Sequence, residues 1–440
     1  MGIPMSETSI YARRRSLLAE QMKNGVAVIP TAPERMRNRD AHYPFRFDSY
    51  FYYLCEFREP EAVLVVVAGE QPKSLLFCRD KHPEREVWEG FRYGAAAAKE
   101  SFGFDEAYSI TLLDEMMPGL LENQASLFCH LGSDSAWDAR VVGWVNEVRN
   151  RARSGVTAPR DIMDVRALLD EMRVIKSTEE IAVMRRAAEI SAGAHRRAMQ
   201  AARPGRTEYE IEAELLHEFR RCGAQAPAYT PIVAAGAHAC VLHYVENAGA
   251  LVDGDLLLID AGCELDGYAS DITRTFPVNG KFSGPQKDVY QLVLAAQAAA
   301  MAEIRPGNTW DKPHEAAVGV LAQGFVDLGL LTGSVEQAIE TEAYKKFYMH
   351  RTGHWLGLDV HDAGEYKRDG RWRELQPGMV LTVEPGCYIR AGDGVPAQFV
   401  DIGVRIEDDV VVTANGHEVL TRAAPKSINE IEALMRSRNE

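Results

Sequence analysis

The stretch LLLIDAGCELDGYASDITRTF, residues 256 to 276, decides how this chain is read. Two strand-like segments, LLLIDAG and YASDITRTF, flank CELDG, whose Asp266-Gly267 pair is a hairpin turn signal. Each segment carries a carboxylate, Asp260 in the first and Asp271 in the second. With Asp266-Gly267 as a two-residue loop, Leu265 pairs with Tyr268 and Asp260 with Thr273, which sets Asp271 diagonal to Asp260 on one face. A loop centred one residue earlier puts the two carboxylates directly opposite. In either register they lie within about 5 to 8 Å of each other. Like charges that close in a partly buried sheet repel and lose hydration, so they must share a proton or bind a cation.

Further acceptors follow downstream. HRTGHWLGLDVHD, residues 350 to 362, supplies His350, His354 and His361; VEPGCY supplies Glu384; GVRIEDD supplies Glu407 after the apolar positions Val404 and Ile406. Both glutamates sit on strand-like apolar sequence. Taken singly, Asp260 could end a strand and Glu407 beside Asp408 and Asp409 reads as a solvated acidic turn. Taken as a set, two Asp, two Glu and one His give oxygen-rich ligation for two divalent ions, four negative charges against four positive. Two metals about 3.5 to 4 Å apart, bridged by such carboxylates, would activate one shared water. The set is too hard for a structural zinc site, which favours thiolates.

The rest of the chain bounds the reading. Its 440 residues predict two or three domains, and 46% apolar with 26% charged residues is an ordinary globular composition. A net charge of -15 with no long basic block argues against a nucleic-acid partner. Seven cysteines, odd in number and without a CxxC pair, fit reduced thiols in a cytoplasmic protein. No stretch has the length and apolarity of a signal peptide core or a membrane span, so no membrane association is expected. Met1-Gly2 with Ser6 meets only a permissive myristoylation pattern and is discounted.

Residues 8 to 24 read as an amphipathic helix, and GVAVIP, EAVLVVVAG, KSLLFC and ASLFCHLG as buried strands of an α/β domain. Near residue 172 the texture changes. Ser177 with Glu180 and Thr207 with Glu210 form capping boxes that open two helices separated by Pro204-Gly205. The expected domains are therefore 1–172 and 173–440. Within the second, AMQAARPGRT at 198 to 207 lines up with AMAEIRPGNT at 300 to 309, and DGDLLLIDAGC with QPGMVLTVEPGC when Gly254 is set on Gly378. Asp260 then falls on Glu384. Two copies suit a duplicated α+β unit whose halves pack around one site.

Together and in this order, LLLIDAGCELDGYASDITRTFPVNGKFSGPQ, HWLGLDVHDAG, PGMVLTVEPGCYI and GVRIEDDVVVT resemble the metal-site segments of the aminopeptidase P and prolidase family of metallopeptidases. RNRDAHYPFRFDSYFYYLCEFREPEAVLVV resembles the N-terminal domain of the aminopeptidase P branch. The resemblance covers nearly the whole chain and implies an α+β fold, a pseudo-two-fold pita-bread catalytic domain after an α/β N-terminal domain. It implies an Xaa-Pro aminopeptidase acting on peptides with proline at the second position, through water or hydroxide bridging two divalent ions. Mn2+ is implied, with Co2+, Zn2+ or Fe2+ as alternatives. Asp260, Asp271, His354, Glu384 and Glu407 match the metal ligands, Asp271 and Glu407 as bridges, and Glu384 also matches the general base. His243 and His361 match histidines that contact substrate and stabilise the tetrahedral intermediate. His350, Arg405 and Tyr388 match the proline pocket, and Trp88 an aromatic reaching the active site. A homodimer or homotetramer is implied.

The chain departs from that pattern at Tyr50-Phe51, where Asp-Phe is usual, at Cys55-Glu56-Phe57, where Thr-Gly-Phe is typical, and at Arg351 and Thr352, where smaller or apolar residues are common. These bear on subunit packing and the proline pocket; the metal ligands are untouched. The competing readings are a prolidase confined to Xaa-Pro dipeptides and a pita-bread protein that binds without catalysis. Cleavage of Xaa-Pro-Yaa separates the first, and metal content the second.

Overall fold

The helix expected near the start spans Ile10–Met22, with Ser9 Oγ accepting from Ala12 N. It belongs to a computed structural model that describes residues 9–392 and 394–437; the Met1-Gly2 and Ser6 pattern lies outside the described residues. The chain divides into two units, Met1–Met172 and Arg173–Glu440.

In the first unit the four apolar runs are strands of one mixed sheet. Its order is Glu106–Ser109, Lys73–Cys78, Val63–Ala68, Gly25–Pro30, Ser126–Cys129, Asp161–Asp164. The middle pairs are antiparallel and the outer ones parallel, as crossover helices require. Val26, Val28, Val65, Leu75, Phe77 and Leu127 bury one face against Leu113–Leu121 and Ser135–Asn150. Glu56, standing where the related pattern has glycine, closes the helix Ser49–Cys55 at φ +60°. A side chain in that left-handed conformation costs about 1 to 2 kcal/mol that glycine would not.

In the second unit both capping boxes form. Glu180 N donates to Ser177 Oγ and Ser177 N to Glu180 Oε2, while Glu210 Oε2 accepts from Thr207 N and Oγ1. They open Thr178–Ala201 and Glu208–Arg221, and a second helix pair is Gly284–Ala302 with Lys312–Asp327. The internal repeat is written in the backbone. Gly205 at φ +88° and Gly307 at φ +87° follow the first helix of each pair. Gly205 N donates to Leu251 O and Leu251 N to Arg206 O; Gly307 N donates to Leu375 O and Leu375 N to Asn308 O. Gly254 and Gly378, at φ +92° and +90°, then turn the chain into Leu256–Asp260 and Val380–Val383.

The opening stretch is a hairpin in the first of the two registers. Leu265 pairs with Tyr268 and Asp260 with Thr273, and Asp266 and Gly267 both have positive φ, as the two-residue turn demands. Between its two paired ends the strands cross so closely that a Cβ on Gly262 would lie 1.6 Å from Ser270 O. Only glycine fits there.

One buried ion-pair group braces the segment that carries His361. The Asp362 carboxylate accepts from Arg173 Nη2 at 2.5 Å and Lys176 Nζ at 2.9 Å, and all three residues are buried. Burial alone would raise this carboxyl, but the two cations outweigh it and hold it below the usual range. Its stabilisation is therefore complete above the ordinary carboxyl pKa of about 3.9 and is lost as pH falls through the lower folded value. Asp362→Asn should lower unfolding free energy by about 3 kcal/mol near neutral pH, since the buried Lys176 and Arg173 both lose this carboxylate. Urea titrations should show this deficit constant down to weakly acidic pH and shrinking below it. A deficit that persists unchanged in strong acid would contradict the assignment.

Candidate metal centre

Four strand segments bring the acidic residues together. Asp260 ends Leu256–Asp260, Asp271 and Thr273 lie on the returning arm, Glu384 follows Val380–Val383, and Glu407 sits between Ile402–Arg405 and Asp408–Thr413. The two halves meet along this line. Glu407 N donates to Thr273 O, and Arg405 N and O bond Thr275 Oγ1. Asp260, Asp271, His354, Glu384 and Glu407 all line one cavity of about 480 Å³. Within it, one ligand atom each from Asp271, His354 and Glu407 fall within 4.8 Å of one another. Asp260 and Glu384 lie outside that tight group but line the same cavity.

The electrostatics call for a cation. Burial, then the neighbouring carboxylates Asp271, Glu384 and Asp260, push Glu407 well up. Burial also lifts Glu384, to about 7, against the pull of His354 and Arg405. Burial would raise Asp271 too, but His354 outweighs it and the carboxyl is held low. Burial would lower His354, yet Asp271 and Glu384 lift it to about 9. Positive charge is thus favoured where these groups converge. His354 Nδ1 lies 2.9 Å from Trp355 O, which accepts its proton and leaves Nε2 facing Asp271 Oδ2 at 3.5 Å and Glu384 Oε1 at 3.6 Å. A backbone carbonyl that fixes the ring in this way is what a metal-ligating histidine needs. The donors fit hard divalent ions.

Around this centre the expected residues are placed as follows. His243, His350, His361 and Arg405 line the cavity, with the His361 ring 4.3 Å from that of His354. Tyr388 stands behind them, its hydroxyl 2.8 Å from His350 Nε2 and accepting from Arg405 Nη1 at 3.0 Å. Arg405 Nη2 also donates to Asp260 Oδ2 at 2.6 Å. Trp88 lies in the first unit, 88% exposed on the helix Pro83–Glu89. Glu407, Asp408 and Asp409 are all buried, which overturns the reading of a solvated acidic turn.

Sequence reasoning missed several partners. Tyr229 OH donates to both Asp260 Oδ1 and Asp271 Oδ1, Thr273 Oγ1 donates to Glu407 Oε2 at 2.6 Å, and Asp409 accepts from Asp271 N. Tyr229 reaches the centre because Ile232, three residues on, pairs with Asp260. That register was the one usable signal. Glu208, fully buried, accepts from Ala235 N, His238 Nδ1, Tyr244 OH and Gly249 N at 2.6 to 2.9 Å. It thereby ties down the loop that carries His243.

Comparison with known proteins agrees with this chemistry. Residues 182–414 match metallopeptidase family M24, and residues 11–128 match the aminopeptidase P N-terminal domain. An Xaa-Pro aminopeptidase of Haemophilus influenzae is 47% identical over 424 residues, 96% of this chain and 96% of that protein. The structure of Pseudomonas aeruginosa aminopeptidase PepP is similar with a TM-score of 0.96 at 52% identity, over 99% of each chain. An Escherichia coli aminopeptidase P variant in complex with substrate gives a TM-score of 0.95 at 46% identity, over 99% of this chain and 100% of that one.

Glu208→Ala should strip four donors of their shared acceptor and cost about 3 kcal/mol. Hydrogen exchange should speed up over residues 235–250 more than elsewhere. Uniform protection in the variant would show that the loop is held by something else.

Proposed function

The chain belongs to metallopeptidase family M24 and carries an aminopeptidase P N-terminal domain, and from that premise we infer that it is an Xaa-Pro aminopeptidase, a hydrolase that removes Xaa from peptides beginning Xaa-Pro. The observation that carries this reading is the convergence of Asp271, His354 and Glu407 inside a cavity that Asp260 and Glu384 also line. In this reading Asp260, Asp271, His354, Glu384 and Glu407 would hold two divalent ions. Bound there, such ions supply Lewis acidity toward the scissile carbonyl and acidify the attacking water. The oxygen-rich donor set favours Mn2+ over softer-ligand metals.

Residues of the chain do the rest. Glu384 takes the proton from the attacking water and can pass it toward the leaving proline nitrogen. His361, whose ring lies 4.3 Å from that of His354 in the cavity lining, would donate an N–H to the developing oxyanion. His243, which lines the same cavity, is proposed to contact substrate. His350, Tyr388 and Arg405 form one hydrogen-bonded wall, proposed here as the proline pocket; Arg405 is anchored by Asp260 and so holds the wall fixed relative to the ligands. A rigid wall suits proline, whose ring fixes φ and whose nitrogen has no hydrogen.

Thr352 is explained by its surroundings rather than by the pocket. Its Oγ1 bridges His314 Nδ1 at 2.8 Å and Tyr348 OH at 2.7 Å, and its carbonyl accepts from Glu384 N. We propose a homo-oligomer, dimer or tetramer, in which the exposed Val87, Trp88 and Phe91 are covered. Free cysteines throughout suit the proposed cytoplasmic setting.

Purified protein supplied with Mn2+ should release Xaa from Xaa-Pro-Yaa and leave Xaa-Ala-Yaa intact; action on Xaa-Pro dipeptides alone would mean a prolidase. Glu384→Ala should abolish turnover, a loss of at least about a thousandfold. His361→Ala should lower kcat about a hundredfold with metal content, read by elemental analysis, unchanged. Loss of the metal in that variant would place His361 among the ligands instead.

A further inference from the structure

Arg351, a departure from the related pattern, has no place in the chemistry above. It follows His350 directly, is exposed, and lines the same cavity as the metal-ligating residues. Its own carbonyl lies 2.7 Å from His350 Nδ1, so the two residues are held in fixed relation. The guanidinium carbon lies 5.6 Å from the centroid of the Trp372 ring, and Lys367 Nζ lies 4.1 Å from the same ring. Such stacking restrains a long side chain without consuming its hydrogen-bond donors.

The charge at this position is uncompensated. Arg405, the other arginine of the cavity, is paired with Asp260, and Arg173 and Arg274 are each paired with a buried aspartate. Among the described residues no carboxylate lies within ion-pair distance of Arg351. In a chain of net charge -15, a restrained guanidinium without an acidic partner in the lining of a catalytic cavity is a binding element in waiting.

Position within the cavity sets what it meets. Glu384 Oε2 lies 3.9 Å from His350 Nδ1, and Arg351 follows that histidine in the chain and is the more exposed of the two. A peptide whose scissile bond lies at Glu384 and whose proline rests against His350 would carry its third residue past that histidine, and Arg351 is the exposed cation adjoining it in the cavity lining. Resting on the aminopeptidase reading, we propose that Arg351 is a specificity-determining residue that selects Xaa-Pro-Yaa peptides carrying a carboxylate on Yaa. That carboxylate is either the free C-terminus of a tripeptide or an acidic side chain in a longer peptide.

The test measures kcat and KM for Mn2+-loaded protein on four peptides: Xaa-Pro-Gln with a free or an amidated C-terminus, and amidated Xaa-Pro-Glu-Gly and Xaa-Pro-Gln-Gly. The free-acid over amide ratio reads the first source, and the Glu over Gln ratio the second. At least one ratio of kcat/KM should be about three to ten, carried by KM and shrinking as salt rises. In Arg351→Gln that ratio should fall to about one, and in Arg351→Lys it should be partly restored. Ratios near one in the unmutated protein, a ratio that survives Arg351→Gln, or an equal loss on all four peptides would each overturn the proposal. Cleavage of none of them by the metal-loaded protein would overturn the aminopeptidase reading itself, and this one with it.

Discussion

Four carboxylates, Asp260, Asp271, Glu384 and Glu407, share one buried cavity, and their mutual repulsion is the constraint to which the second unit is fitted. At such separations in a medium of low polarity each like-charge pair costs several kcal/mol unless opposed. The protein opposes it with donors of graded strength. Arg405 answers Asp260, His354 answers Asp271 and Glu384, and the hydroxyls of Tyr229 and Thr273 supply hydrogen bonds that carry no charge. Part of the repulsion is left over, and that remainder is what makes the cavity receptive to cations.

Behind the cavity lies a second set of buried charges that do not face it. Arg274, wholly buried, donates to Thr273 O, Glu407 O, Ala424 O, Pro425 O and Asp408 Oδ1. Asp408 accepts as well from Gln297, Thr421 and Lys426. One guanidinium therefore clamps both halves of the repeat at the residues adjoining Glu407 and Thr273. Such an arrangement holds these strands at fixed spacing while leaving the cavity's carboxylates unneutralised by Arg274.

The parts legible in the sequence were those governed by local rules. Turn chemistry at Asp266-Gly267, capping at Ser177 and Thr207, and the paired Pro-Gly breaks at 204 and 306 are each decided within a few residues, and each appears as read. The strands Glu106–Ser109 and Asp161–Asp164 escaped because they are edges of the sheet and carry no apolar run. Tyr229, Thr273 and Glu208 escaped for another reason. Each acts through an oxygen on a residue type common everywhere, at a distance of 27 to 134 positions from its partner. Periodicity cannot register such a contact; only strand pairing supplies it. Glu407 was ambiguous because an acidic triplet looks the same whether it faces water or a cage.

The repeat is exact in backbone register and broken in side chains. Val383 pairs with Asp408 as Ile259 pairs with Arg274, so Glu407 occupies in one half the place that Thr273 occupies in the other. In the same frame Gly386 pairs with Arg405, while Gly262 packs against the backbone of Ser270 and Asp271. A guanidinium thus stands where the other half has a carboxylate. A peptide is a directional chain, with an amine at one end and amides running one way from it. A cavity with true two-fold symmetry would receive that chain equally well in either sense, and half of its encounters would be unproductive. Substituting arginine for aspartate and glutamate for threonine gives the duplicated cavity a head and a tail.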